Sequence, residues 1–259
     1  MGRLSGRFIA VTGAAQGIGR AIATAFRAEG ADLFLLDMDG DLLAAAVRDM
    51  ATAPGGRVHQ AQADISDATR IAEAFKAAAE AAGRPLDGLV NNAGVNVFHE
   101  PLETTEEEWR RTFAINLDGA WSCARAVLPG MIAARHGVIL NIASTHAFTI
   151  IPRTFPYPVA KHALLGLTKS LALEYADKGV RVNAIAPGYV ATKKVLDWWD
   201  SHPDPAAARA ETLALHPQGR IATPEEIASA AVFMISDECP FMTAACLTID
   251  GGLSVRQHA

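Results

Sequence analysis

Short apolar runs alternate with longer stretches of helical periodicity along most of the chain. Phe8 to Val11 is the first apolar run and Leu33 to Leu36 the second. Val58 to Ala63, Leu86 to Val90, Val138 to Ile142, Val180 to Ile185 and Cys246 to Ile249 continue the series. Helical patterns lie between them: Gly17 to about Glu29, Gly40 to Thr52, Asp67 to Ala82, Glu106 to Arg135, Tyr157 to Lys178, and Pro224 to Ile235. Strands alternating with helices predict βαβ crossovers and a parallel sheet. The runs are rich in Val, Ile and Leu without polar alternation, as expected of strands covered on both faces. The expected fold class is therefore α/β: one Rossmann-type, doubly wound domain over residues 1–259, with helices on both sides of the sheet.

One segment breaks the rhythm. Pro187 to Thr223 carries several prolines, a Trp198-Trp199 pair and no predicted strand. It follows a strand's carboxyl end, the edge at which such sheets bind ligands. Residues 188–223 are therefore expected to form a substrate loop.

Composition removes several function classes. A net charge of −5 offers no electrostatic reason to expect nucleic acid or an acidic membrane surface as partner. Cys123, Cys239 and Cys246 are scattered and lack CxxC spacing, which argues against disulfides and structural zinc. No metal site is expected, and the thiols read as reduced, in a cytoplasmic protein. Met1 to Arg7 is short and polar, unlike a secretory leader. No apolar run approaches the roughly 20 residues that span a bilayer.

Candidate chemistry begins directly after the first strand, at Thr12-Gly13-Ala14-Ala15-Gln16-Gly17-Ile18-Gly19. Gly13 suits a tight strand-to-helix turn, Gly17 a close backbone approach to a pyrophosphate, and Gly19 close helix packing. The following helix N-terminus presents free N–H groups to phosphates. Asp37 ends the second strand, where a carboxylate can accept hydrogen bonds from adenosine ribose hydroxyls. It would repel a 2′-phosphate by about 4 kcal/mol per unit charge at about 4 Å in an effective dielectric of about 20. No basic residue occupies Ala14, Ala15 or Gln16, so NAD is expected over NADP. Asp37 is also placed to cap the helix that starts near Asp39.

Further pieces follow in order: Asp64-Ile65, Asn91-Asn92-Ala93-Gly94, Asn116, Ser144, Tyr157-x-x-x-Lys161, and Pro187-Gly188 with Thr192. Together with the glycine turn, this chain resembles the short-chain dehydrogenase/reductase (SDR) family over nearly its whole length. The resemblance implies a nicotinamide cofactor held by Gly13, Gln16, Gly17, Ile18 and Gly19. It also implies that Asp64 and Ile65 flank the adenine, and that Asn91, Ala93 and Gly94 support sheet and cofactor. Pro187, Gly188, Val190 and Thr192 are implied to border the nicotinamide, and Lys161 to hold its ribose.

The implied catalytic set is Asn116, Ser144, Tyr157 and Lys161. A phenol with a pKa near 10 is a poor base at neutral pH. Tyr157 and Lys161 share a helix face at i, i+4, so the ammonium is expected to lower the phenol's pKa. Ser144 follows the Val138–Ile142 strand, where its hydroxyl can polarise a substrate oxygen. Asn116 resembles the family residue that holds a relay water to Lys161. Pro156 and Pro158 flank Tyr157 and fit a helix's first turn.

Substrate contacts are sought at Asn96, Ser144, His146, Arg153, Tyr157 and Trp198. Arg153 suits a bidentate carboxylate contact, or a solvated loop position. His146 and Asn96 each have a structural alternative, as hydrogen-bonder and turn residue. Trp198-Trp199 reads either as a platform for a sugar's C–H face or as the core of a lid helix. Phe155 to His162, Leu215-His216-Pro217 and Ile249 to Gly252 resemble bacterial NAD-dependent sugar dehydrogenases. That similarity implies a sugar or sugar-acid substrate, as in aldose 1-dehydrogenases for galactose, arabinose or fucose, or dehydrogenases of 2-keto-3-deoxy sugar acids. A 3-oxoacyl-type carbonyl reductase and a catalytically silent NAD-binding regulator are the competing readings. The family resemblance also implies a homotetramer, with Leu164, Leu165, Leu167 and Leu171 on a buried face. The tail from Val255 to Ala259 is placed to reach a neighbouring subunit's site.

Overall fold

The strand β1 (Phe8–Thr12) lies near the middle of a seven-stranded parallel sheet in a computed structural model that describes residues 2–51 and 55–256. The other strands are β2 (Asp32–Asp37), β3 (Val58–Gln62), β4 (Gly88–Asn91), β6 (Gly137–Ile142), β8 (Val180–Pro187) and β9 (Cys246–Ile249). Their spatial order is β3-β2-β1-β4-β6-β8-β9. The order reverses between β1 and β4, so the crevice at their carboxyl ends is the topological switch point where such sheets bind ligands.

Successive strand residues point to opposite faces, and both faces are apolar. Ile9, Val11, Leu33 and Leu35 pack with Ile22 and Phe26 of α1 (Gly17–Ala28), Leu43 of α2 (Gly40–Ala51) and Val232 of α9 (Pro224–Ile235). Phe8, Ala10, Phe34 and Leu36 pack on the other side. Their partners include Ile71 and Phe75 of α3 (Ala68–Ala82), Val127 and Leu128 of α5 (Gly119–Ala134), and Leu171 of α6 (Tyr157–Tyr175). The doubly wound expectation holds. Thr52, the expected end of the second helix, and Gln257 to Ala259 of the expected tail lie outside the described residues.

Three predicted stretches differ. The single helix expected from Glu106 to Arg135 is α4 (Glu106–Phe113), a π-helical turn (Ala114–Asp118) and α5. The cause sits inside the turn: Asn116 Nδ2 donates to the Thr112 carbonyl at 3.0 Å and to the Val95 carbonyl at 2.9 Å. A side chain bonded into the ladder widens it locally. The helix expected to reach Lys178 ends at Tyr175 and continues as a 3-10 turn (Ala176–Lys178) closed by Gly179 at φ 80°. The segment after Pro187 is not an irregular loop. It forms α7 (Lys193–Ser201) and α8 (Pro205–Ala214), which pack Trp199, Ala208 and Ile221 into a small core of their own. A small two-stranded sheet lies outside the expected pattern: β5 (Phe98–His99) pairs antiparallel with β7 (Phe155–Pro156). Two residues per strand are too few for any periodicity to show.

Candidate active site

The glycine turn between β1 and α1 has the geometry its spacing predicts. Gly13 and Gly17 have φ values of 63° and 56°, where a side chain would be strained. A Cβ on Gly19 would overlap the Gly13 carbonyl oxygen. The cap residue Gln16 makes no side-chain bond to the first turn of α1, and that turn holds no acidic side chain. Its N–H groups stay available to an anion. Asn92 fastens the turn, donating from Nδ2 to the carbonyls of Thr12 (2.9 Å) and Gly13 (3.0 Å).

Asp37 Oδ2 accepts from the Ala15 N–H at 2.9 Å, and Oδ1 accepts from the Asp39 N–H at 3.1 Å. The helix cap is another residue's work: Asp39 accepts from the Leu42 N–H at 2.9 Å. Asp37 thus faces a chamber of about 780 Å³ that is also lined by Gly13, Gln16, Gly17, Asp64, Ile65, Ala93, Gly94 and Thr192. These residues fit a dinucleotide: glycines that leave room for phosphates, free N–H groups, and a carboxylate beside the ribose position. Among the expected cofactor residues Asn91, like Gly19, does not line the chamber. It is buried behind the chamber, where Nδ2 donates to Asn141 Oδ1 at 2.9 Å and the Ala120 carbonyl at 3.2 Å. These bonds fasten β4 to β6 and α5, the sheet-supporting part of the expectation.

A second chamber of about 490 Å³ adjoins the first. Ile18, Asn96, Asn116, Ser144, His146, Tyr157, Lys161, Pro187, Gly188, Val190 and Trp198 all line it. Tyr157 is the first residue of α6, between cap residue Pro156 and Pro158 in the first turn, as those prolines imply. The helix places Lys161 one turn on, with Nζ 5.5 Å from the Tyr157 ring centroid and donating to the Ile142 carbonyl at 2.9 Å. Ser144 hydrogen-bonds the phenol, and its Oγ accepts from the His146 N–H at 3.2 Å. Phe98 and His146 pack edge-on against the phenol ring, at 5.6 and 5.8 Å.

The electrostatics differ from the sequence expectation. Burial pushes the Tyr157 phenol up to about 12, and the hydrogen bond from Ser144 only partly opposes this. Burial likewise pushes Lys161 down to about 8. Desolvation disfavours both charged forms. Asn116 Oδ1 is buried without a partner. Gly94 leaves the space in front of it open: a Cβ there would stand 2.8 Å from Asn116 Oδ1 and 3.7 Å from Lys161 Nζ.

Among the substrate candidates, Arg153 is the correction. Its side chain is 69% exposed and pairs with Glu100 at 3.0 Å, away from the chamber. The tryptophan pair divides the two roles between its members. Trp198 lines the chamber, whereas Trp199 is buried and donates from Nε1 to Thr212 Oγ1 at 3.1 Å. Adjacent helix residues face about 100° apart, so one neighbour looks in and the other out. His146 Nδ1 is buried without a partner, and burial lowers the pKa of the ring. Sequence reasoning missed Phe98, Thr154, Tyr189, Lys194 and Leu253 on the wall. Only Tyr189 and Lys194 carried a signal, lying inside the segment already singled out.

A parallel sheet with a dinucleotide-shaped cleft and a buried Ser-Tyr-Lys cluster defines a nicotinamide-dependent oxidoreductase. A family model described as enoyl-(acyl carrier protein) reductase, adh_short_C2, matches residues 13–254. The chain belongs to the short-chain dehydrogenase/reductase family, whose members use NAD(P). It is 41% identical over 258 residues to galactitol 2-dehydrogenase (L-tagatose-forming) of Cereibacter sphaeroides, covering 98% of this chain and 97% of that one. It is 38% identical over 256 residues to 2-(S)-hydroxypropyl-CoM dehydrogenase 3 of Xanthobacter autotrophicus, covering 97% and 98%. The solved structure of Thermoplasma acidophilum aldohexose dehydrogenase superposes with a TM-score of 0.88 at 33% identity, covering 99% of this chain and 97% of that one. The chain is an oxidoreductase acting on alcohol or sugar-like substrates.

Proposed function

We propose that this enzyme is an NAD-dependent sugar dehydrogenase, and that its reaction is oxidation of an aldose at C1 to the lactone. The observation that carries the reading is one chamber lined by Ser144, Tyr157 and Lys161 together with Asn96, His146 and Trp198. Polar groups to read hydroxyls and an indole face for the C–H surface are what a pyranose requires. Similarity to a protein named as an aldohexose dehydrogenase supports it, and similarity to one named as galactitol 2-dehydrogenase (L-tagatose-forming) supports a sugar-like substrate without bearing on C1.

The residues divide the work. Gly13, Gln16, Gly17, Asp64, Ile65, Ala93, Gly94 and Thr192 hold the dinucleotide, and the Asp37 carboxylate favours ribose hydroxyls over a 2′-phosphate. When bound, the nicotinamide supplies the hydride acceptor. Ser144 hydrogen-bonds the substrate hydroxyl and holds it against Tyr157. Tyr157 takes the hydroxyl proton in its phenolate form, which the Lys161 ammonium stabilises ahead of the transfer, and the transfer returns it to the neutral phenol. Asn116 Oδ1 faces Lys161 across Gly94 and positions a water that passes the proton out. A sugar-acid dehydrogenase is the second reading, and the Lys194 side chain favours it. A 3-oxoacyl-type reductase fits less well, because Asp37 stands where NADPH would place its phosphate.

The proposal includes a homotetramer in a reducing, cytoplasmic setting. Trp121 of α5, Leu173 of α6 and Leu247 of β9 are exposed apolar groups on elements that would meet neighbouring subunits, and Cys123, Cys239 and Cys246 are free thiols.

Reduction of NAD and of NADP is to be followed against galactose, arabinose, fucose, rhamnose, glucose, xylose and 2-keto-3-deoxy sugar acids. Turnover of an aldose with NAD and release of a lactone supports the reading. Silence on all aldoses overturns the C1 reaction, and activity on a sugar acid then favours the second reading.

A further inference from the structure

We propose that Lys194 is an anion anchor that makes the enzyme select a substrate bearing a carboxylate, an inference that rests on the sugar-dehydrogenase reading. Lys194 is the one lysine that lines both the dinucleotide chamber and the substrate chamber. Its neighbour Lys193 is engaged by Asp197 at 2.6 Å, whereas Lys194 has no hydrogen bond or ion pair among the described residues. Surrounding atoms lower its pKa by desolvation, so an approaching anion would relieve an uncompensated charge.

The substrate chamber has no opposing charge. No Asp or Glu lines it, although the chain as a whole carries a net charge of −5. Its other lysine, Lys161, is bound to the Ile142 carbonyl beside Tyr157. Arg153, the residue whose chemistry best suits a carboxylate, points elsewhere and is neutralised by Glu100. That leaves Lys194 as the cation free to read an anion. Lys194 and Trp198 are i, i+4 on α7, so both project from one helix face into the chamber. A sugar lying on the indole would present a carboxylate to the ammonium. A hexuronate meets this requirement while keeping C1 oxidation, and an aldonate meets it with a secondary carbinol.

An anionic oxygen at Lys194 has a second source, the cofactor diphosphate. The test therefore measures cofactor and substrate separately. Matched pairs differing by a carboxylate are used: galacturonate against galactose, and gluconate against glucitol. Dissociation constants on the enzyme–NADH complex come from tryptophan fluorescence, and kcat/KM from NAD reduction. A preference for the carboxylate member of roughly 10- to 100-fold, the size of one charge-assisted hydrogen bond, is expected. In Lys194→Gln that ratio falls to near one, and in Lys194→Arg most of it remains. Equal binding of the pair by the wild type, or a ratio that survives Lys194→Gln, overturns the proposal. So does a loss in NADH affinity in Lys194→Gln as large as the loss in carboxylate affinity, which would assign the lysine to the diphosphate. If no sugar is turned over but the binding preference and its loss persist, the sugar reading fails and the anion anchor stands. If sugars turn over with no preference, the reverse holds.

Discussion

The Ala15 N–H donates to Asp37 Oδ2 at 2.9 Å, tying the carboxylate that ends β2 to the glycine turn that follows β1. One residue thereby serves two ends of the cofactor chamber. It shapes the turn through its bond to Ala15 and, on the proposed NAD reading, presents negative charge where a ribose 2′-substituent would lie. Replacing it has two consequences. Asp37→Ala alone should weaken NAD, because the turn loses its tether. Asp37→Ala with Met38→Arg should raise the NADP/NAD ratio of kcat/KM by 100-fold or more, since a repulsion becomes an attraction. Steady-state kinetics with both cofactors checks this, and an unchanged ratio would remove Asp37 as the ribose reader.

Tyr157→Phe should cut kcat by about 100- to 10,000-fold, the range for losing a positioned acid/base. Its affinity for NADH should stay close to wild type, because the ring still packs against Phe98 and His146. Turnover at the wild-type rate would sink the acid/base assignment.

Burial of Lys161 predicts a pH signature in stability. Burial holds Lys161 at about 8 in the folded chain, below the 10.5 of a free lysine, so between these values the unfolded chain holds more protons than the folded one. Stability from this group therefore rises with pH across that window, by up to about 3 kcal/mol. Tyr157, raised to about 12 from 10.0, acts in the opposite sense above pH about 10, where the unfolded phenol ionises first. Denaturant midpoints for wild type and Lys161→Met from pH 7 to 10 should show the rise in the wild type and lose it in the variant.

Asn91→Leu should lower stability by about 1–3 kcal/mol, because Asn141 Oδ1 and the Ala120 carbonyl lose a buried donor. The surviving folded enzyme should keep its affinity for NADH. A selective rise in the NADH dissociation constant without loss of stability would show that Asn91 touches the cofactor after all.

The two tryptophans should separate. Trp198→Ala should raise the substrate KM with little change in melting temperature. Trp199→Ala should lower the melting temperature, because it empties the centre of the α7–α8 packing and strands Thr212. Equal effects of both variants on KM and melting temperature would contradict the division of roles.

Much of this is legible in the sequence. Gly13, Gly17 and Tyr157 were readable because their demands are local: a positive φ, a close backbone approach, a first-turn position beside two prolines. Asn116 was identified by resemblance, but the π turn it creates was not foreseen, since the bond to Val95 closes across 21 residues of sequence. Arg153 and Lys194 show the same limit from the other side. Both are cations near the expected site, and only the path of the chain decides that one faces Glu100 and the other the chamber.

By itself the sequence determined the alternation of strand and helix and the doubly wound class. Those properties rest on residue type and on spacing within one or two turns of chain. Tertiary structure alone decided which loop residues line the chamber, that Asn91 bridges β4 to β6, and that Tyr157 and Lys161 are buried side by side. Those outcomes depend on what the fold packs around a residue, and no spacing along the chain encodes the dielectric or the neighbours that distant segments supply.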